Sequence, residues 1–131
     1  MEYTSKNQSK FLLIAHLIFV CKYRKRLLVA LGNDVKSLIS SIVKKYSFKI
    51  IEMEVDKDHT HLLLSYETKM SILEVVRLLK QITTYHLWKK HSDYLSAHFW
   101  KERTFWGDGY FACSVGNASK EMIQAYIQSQ G

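Results

Sequence analysis

The sequence predicts an α+β fold: one antiparallel sheet, two helices on one of its faces, and a further helix at the C-terminal end. Three observations predict it. Strand-like alternation and helix-like spacing succeed one another as strand, helix, strand, strand, helix, strand, helix. Two of the strands carry apolar residues on alternate positions, as half-buried antiparallel strands do. No proline interrupts any of these segments.

Residues 11–20 are apolar on both alternating sets, which suits a central strand covered on both sides. Gly32 and Asn33 punctuate, and a helix is expected over 34–46, with Val35, Leu38, Ile39, Ile42, Val43 and Tyr46 at helical spacing. In 48–55, Ile51, Met53 and Val55 face one way and Glu52 and Glu54 the other. A polar turn over 56–58 leads to a strand at 59–66. Ser71 opens the next helix, with Glu74 completing a capping box and Ile72, Val75, Val76, Leu79, Ile82 and Tyr85 on one face as far as Lys90. Residues 91–108 are polar and aromatic without a clear period. A fourth strand spans 109–115, Gly116 breaks it, and a last helix starts near Ser119 with Met122, Ile123, Tyr126 and Ile127 inward. This order is a ferredoxin-like (split βαβ) antiparallel sheet with helices on one face, plus a C-terminal helix. The sheet's other face needs a cover, which the last helix or a second subunit could supply.

The chain has 131 residues, 47% hydrophobic and 24% charged, so one domain over 1–131 is expected, with a frayed tail at 1–10. The apolar run 11–21 is too short to span a bilayer and His16 interrupts it, so no membrane association is expected. Nor does the N-terminus read as a signal peptide. The two cysteines, Cys21 and Cys113, read as reduced thiols without a zinc motif. A net charge of +7 favours a polyanionic partner, nucleic acid being the commonest.

In "DKDHTHLLL", His59 and His61 alternate with Thr60 and so point the same way, about 7 Å apart by strand rise. Thr60, Leu62 and Leu64 take the opposite, core side, which leaves the histidines on the face away from the two helices. Two imidazoles at that spacing can close on one divalent ion; an isolated pair is also common as plain surface histidines. In the last helix Tyr126 and Gln130 stand four apart and share a face. Tyr126 could be core or nucleophile, and the Gln130 amide oxygen could be a third ligand. Two nitrogens and one neutral oxygen suit Mg2+ or Mn2+.

Four segments in this order resemble the single-tyrosine HUH transposases (TnpA type) of the insertion-sequence 200/605 group: "HLIFVCKYRKR", "DKDHTHLLL", "FWGDGYFACSVG" and "YIQSQ". The similarity runs from His16 to Gln130, with polar Thr60 at a usually hydrophobic position. The resemblance implies that His59, His61 and Gln130 hold a divalent metal, Mg2+ or Mn2+. It implies that Tyr126 attacks a phosphodiester of single-stranded DNA beside a hairpin, forms a 5′-phosphotyrosine and leaves a 3′-OH that later rejoins strands. It further implies a cytoplasmic homodimer, nucleoid-associated on DNA, in which one subunit's tyrosine helix can serve the other's histidines, with Gly116 as the hinge.

Lys22, Arg24, Lys25 and Arg26 cluster after the first strand, Arg77 and Lys80 lie along the second helix with Lys89 and Lys90, and Lys101 and Arg103 interleave with Phe99, Trp100, Phe105 and Trp106. Cations for phosphates and rings for unpaired bases are what a single-strand and hairpin binder needs; the same rings also suit a core or a subunit contact. Three alternatives stay open: a domesticated nuclease that nicks palindromes, a non-catalytic nucleic-acid-binding module, and a metal-dependent hydrolase using Asp56 or Asp58.

Overall fold

The computed structural model describes residues 12–114 and 120–130, without the side chains of Leu12, Lys120, Met122 and Ile123. The tail at 1–10, Gly116 and the inward placement of Met122 and Ile123 lie outside the described residues. The elements are β1 (Leu12–Val20), a 3-10 turn (Lys22–Arg24), α1 (Leu28–Lys45), β2 (Phe48–Val55), β3 (His59–Glu67), α2 (Ile72–Lys90), α3 (Ser92–His98), β4 (Phe111–Ser114) and α4 (Lys120–Ser129).

The sheet order is β2-β3-β1-β4 and every neighbouring pair is antiparallel. Each βαβ unit therefore brackets a strand of the other, which is the split βαβ arrangement the sequence predicts. β1 runs through the middle because it is apolar on both sides. Leu17, Phe19 and Cys21 join the main core beneath the helices, while Ile18 and Val20 join a smaller cluster on the other side with Ile127. α1 and α2 close the first side, where Leu62, Leu64, Val35, Ile39 and Leu79 are wholly buried. Burying each such side chain favours folding by about 1.5–3 kcal/mol.

The capping box forms as expected: the Glu74 N–H donates to Ser71 Oγ at 3.1 Å and the Ser71 N–H donates to Glu74 Oε1 at 2.8 Å. Several expectations are corrected. α1 begins at Leu28, so Gly32 and Asn33 lie inside it. The glycine answers a packing demand, since a Cβ at Gly32 would stand 3.1 Å from Val55 Cγ1. A bulge between Ile50 and Glu52 breaks the β2–β3 register, so Phe48 and Ile50 face the core before it, Met53 and Val55 after it, and Ile51 is exposed. Tyr46 caps the end of α1 and is partly exposed, and Tyr85 lies on the outer side of α2 at 61% exposure. Part of 91–108 is helical after all, as α3, too short to show a period. β4 begins at Phe111, two residues later than expected. Phe99, Phe105 and Trp106 belong to the core and only Trp100 stands out, at 80% exposure.

Candidate active site

The face opposite α1 and α2 is built from alternate residues of β1 and β3. Antiparallel register sets Val20 opposite His59, Ile18 opposite His61 and His16 opposite Leu63. One face thus carries His16, His59 and His61, while Thr60, Leu62 and Leu64 are buried on the other. The spacing argument for the histidine pair therefore holds, and the fold adds a third imidazole.

Each histidine of the pair has a partner. His59 Nδ1 lies 2.9 Å from Asp58 Oδ1. A carboxylate only accepts, so Nδ1 carries the proton and the Nε2 lone pair is left for a ligand, the arrangement in which acidic neighbours orient metal-binding imidazoles. Asp58 is itself fixed: its carbonyl accepts from the Cys21 N–H at 2.8 Å and its second oxygen lies 3.3 Å from Arg24 Nε. His61 Nε2 faces His16 Nδ1 at 3.0 Å, one nitrogen donating and the other accepting. Burial, with nearby His16 adding to it, lowers the His61 pKa, which favours the neutral ring. His16 was missed as a site residue because its partner is 45 positions away and the strand that carries it is apolar on both sides.

α4 lies over the same face. Tyr126 stacks obliquely on Phe111 with ring centroids 5.7 Å apart, and Ile127 packs on Ile18 and Val20. Phe111 and His61 both pair with Ile18, from opposite sides of β1, so two strand spacings, about 10 Å of backbone, separate them. The Tyr126 hydroxyl is buried without a hydrogen-bond partner among the described residues and sits 3.6 Å from where a Cβ at Gly109 would be. Burial raises its pKa, so near neutral pH it is a phenol. Gln130 follows the helix in a turn, its N–H donating to the Ile127 carbonyl at 3.1 Å and its Nε2 to Ser129 Oγ at 3.1 Å. Its Oε1 lies 3.7 Å from the position of a Gly107 Cβ, and the Gly107 N–H donates to Val20, the cross-strand partner of His59. The fold thus gathers His16, His59 and His61, and separately seats Tyr126 and Gln130 across β1 from them. Among the described residues no direct contact joins the two groups.

The donor set fits a divalent ion in part. Among the described residues no three His, Cys, Asp or Glu side chains converge as a metal cage, so an oxygen donor such as Gln130 is needed beside the imidazoles. Asp56 accepts from the Lys57 N–H at 2.7 Å through one oxygen, and Asp58 is held by His59 and Arg24.

The expected DNA-contacting residues divide. Arg77, Lys80 and Arg103, with Lys89, line an open groove of about 1020 Å3 between α2 and residues 103–110, whose walls include Tyr85, Trp88 and Tyr110. The Arg103 guanidinium lies over the Trp88 ring at 5.0 Å, and Lys101 lies over Trp100 at 4.6 Å. Lys80 points inward and donates to the carbonyls of Gly107 and Gly109 at 2.6 and 3.0 Å; burial lowers its pKa. Lys22 is paired with Asp108 at 2.9 Å, Lys25 lies 5.7 Å from the Phe99 ring centre, and Arg26 is exposed.

A family model described as "Transposase IS200 like" matches residues 9–130. The chain belongs to the IS200-like transposase family. It is 31% identical over 116 residues to the ISDra2 transposase TnpA of Deinococcus radiodurans, covering 88% of this chain and 81% of that protein. It is 30% identical over 119 residues to the transposase for insertion sequence element IS200 of Salmonella typhimurium, covering 88% of this chain and 74% of that one. Two solved structures share the fold. One, from Deinococcus radiodurans and described as a transposase candidate, superposes with a TM-score of 0.83 at 24% identity over 99% of this chain and 96% of that one. The other, a REP-associated tyrosine transposase bound to a REP hairpin, has a TM-score of 0.57 at 13% identity over 97% of this chain and 68% of its own. Among the described residues no helix is long and apolar enough to cross a membrane.

Proposed function

We propose that this transposase cleaves and rejoins single-stranded DNA at hairpin-bearing ends, with Tyr126 as the nucleophile. The observation that carries the proposal is that Tyr126 and the histidine pair share the one sheet face that α1 and α2 leave uncovered. Tyr126 Oη would attack the phosphorus of a phosphodiester, forming a 5′-phosphotyrosine as the bond to the 3′ oxygen breaks. That oxygen takes a proton and leaves as a 3′-OH. In a second round a 3′-OH attacks a phosphotyrosine, restores a phosphodiester and returns the tyrosine, so bond energy is conserved through the cycle.

His59, His61 and Gln130 would hold a divalent ion, Mg2+ or Mn2+, whose chemistry is to draw charge from the phosphate under attack. The chain's own residues do the rest. Asp58 fixes the His59 tautomer, β3 alternation aims both imidazoles outward, and the apolar cluster of Ile18, Val20 and Ile127 keeps water from beneath the helix. About 10 Å of sheet between Phe111 and His61 favours an active form in which α4 moves, or in which a homodimer brings one subunit's tyrosine to the other's histidines. The basic, aromatic-lined groove along α2 suits the backbone of a hairpin, and exposed Trp100 suits stacking on an unpaired base.

The test is incubation with single-stranded DNA carrying a candidate hairpin end, plus Mg2+ or Mn2+. A covalent protein–DNA band that disappears in Tyr126→Phe is expected. Its persistence in that variant, or cleavage with free 5′-phosphate and no adduct, would refute the mechanism.

A further inference from the structure

Arg24 sits where the two halves of the site meet. Its Nε lies 3.3 Å from Asp58 Oδ2, and its guanidinium Nη1 donates to the Gln128 carbonyl on α4 at 3.3 Å. Asp58 in turn holds His59 through its other oxygen. One side chain therefore joins the carboxylate that orients a histidine to the last turn of the helix that carries Tyr126. A planar guanidinium with several fixed donors can serve both acceptors at once, which a lysine ammonium on a flexible stem does poorly.

The backbone beneath is built for this placement. Tyr23 and Arg24 have φ of 59° and 54°, left-handed values that non-glycine residues seldom adopt. The Arg24 N–H closes the turn on the Cys21 carbonyl at 2.8 Å, and the Cys21 N–H donates to Asp58 at 2.8 Å. Two consecutive left-handed residues persist only where surrounding structure over-determines them, and such positions cluster at functional sites. Here the over-determining contacts are those that tie the turn to Asp58 and to α4.

We propose that Arg24 is a positioning residue that latches the tyrosine helix to the histidine side of the site, holding α4 seated and Asp58 oriented with one guanidinium. The proposal rests on Tyr126 and the histidines forming one site, but its test uses no DNA. α4 amide hydrogen exchange and Mn2+ affinity are measured on the full chain of the wild type, Arg24→Ala, Arg24→Lys and Asp58→Asn. In Arg24→Ala, α4 amides should exchange about tenfold faster while the β1–β3 ladder is unchanged, and Mn2+ should bind about tenfold more weakly, within the range for outer-shell partners. Arg24→Lys should restore neither fully, and Asp58→Asn should loosen α4 as well, because it removes the anchor of the latch. Arg24→Gln replaces Arg24→Ala if the alanine variant fails to fold. A residue that only contacts DNA phosphates would leave both readouts at wild-type values, and either unchanged α4 exchange or unchanged Mn2+ affinity in Arg24→Ala overturns the latch. Loss of the adduct test with these shifts intact would instead remove the nucleophile assignment and leave the latch standing.

Discussion

The two faces of the sheet each bury a hydroxyl that has no hydrogen-bond partner among the described residues: Thr60 beneath the helices and Tyr126 beneath α4. The first lies at zero exposure within a continuous core, the second beside a smaller cluster that, among the described residues, buries Ile18, Val20 and Ile127. A buried hydroxyl left unpaired costs about 1–3 kcal/mol, so both are liabilities for folding. Thr60 stands in a site that asks only for shape. Tyr126 shares its sheet face with His59 and His61, across β1 from them, where the proposed chemistry would use an unpaired hydroxyl. The same local fault therefore reads as packing on one face and as poise on the other.

The comparison breaks first at neighbouring residues of β3. Leu62→Ala should cost about 2–5 kcal/mol in denaturant unfolding, whereas His61→Ala, on the opposite face, should abolish strand cleavage and change stability far less. If the two substitutions destabilise equally, the faces do not differ as described. The hydroxyls sharpen it next. Thr60→Val should raise stability by about 1 kcal/mol and keep DNA cleavage, while Tyr126→Phe should leave stability equal or slightly higher and lose all covalent adduct. A Tyr126→Phe protein that unfolds readily would mark the tyrosine as core.

Smaller effects follow from titration. Burial raises the pKa of both Tyr126 and Tyr66 above the ordinary value of 10.0. A group whose folded pKa is raised contributes stability that is fully present below its unfolded pKa and lost as pH rises through the folded one. Stability should therefore fall above pH ~10, and less steeply in Tyr126→Phe. The smallest effect is at Asp34, whose carboxyl pKa is lowered chiefly by the hydrogen bond from His91 and then by Lys90, tying α1 to the end of α2. Its contribution is present above the unfolded pKa of 3.8 and lost as pH falls through the folded value. Being partly exposed, Asp34→Asn should cost under about 1 kcal/mol at neutral pH.

What was legible in the sequence follows from which interactions are local. Alternation set Thr60 against His59 and His61, and the capping box placed the start of α2, because both are written within a few residues. The bulge at Ile51 was not legible, since an extra residue in one strand is seen only against its partner. Gly32 read as a stop because its reason for being glycine is Val55 on another element. His16 and the link from Arg24 to α4 were hidden for the same cause: one meets its partner on the neighbouring strand β3, and the other joins a turn to a helix 104 positions away. Their spacing of four put Tyr126 and Gln130 on one helix face as candidates and the resemblance implied their roles, and the described contacts of α4 set them across β1 from the histidines.

The most direct test of the central claim is the chemical identity of the DNA-linked residue. After cleavage of hairpin-bearing single-stranded DNA, the adduct is digested with nuclease and trypsin and its peptides are sequenced by mass spectrometry. The account predicts a nucleotide joined through its 5′-phosphate to Tyr126, within the tryptic peptide spanning 121–131. A nucleotide on any other residue, or cleaved DNA with no modified peptide, would contradict it.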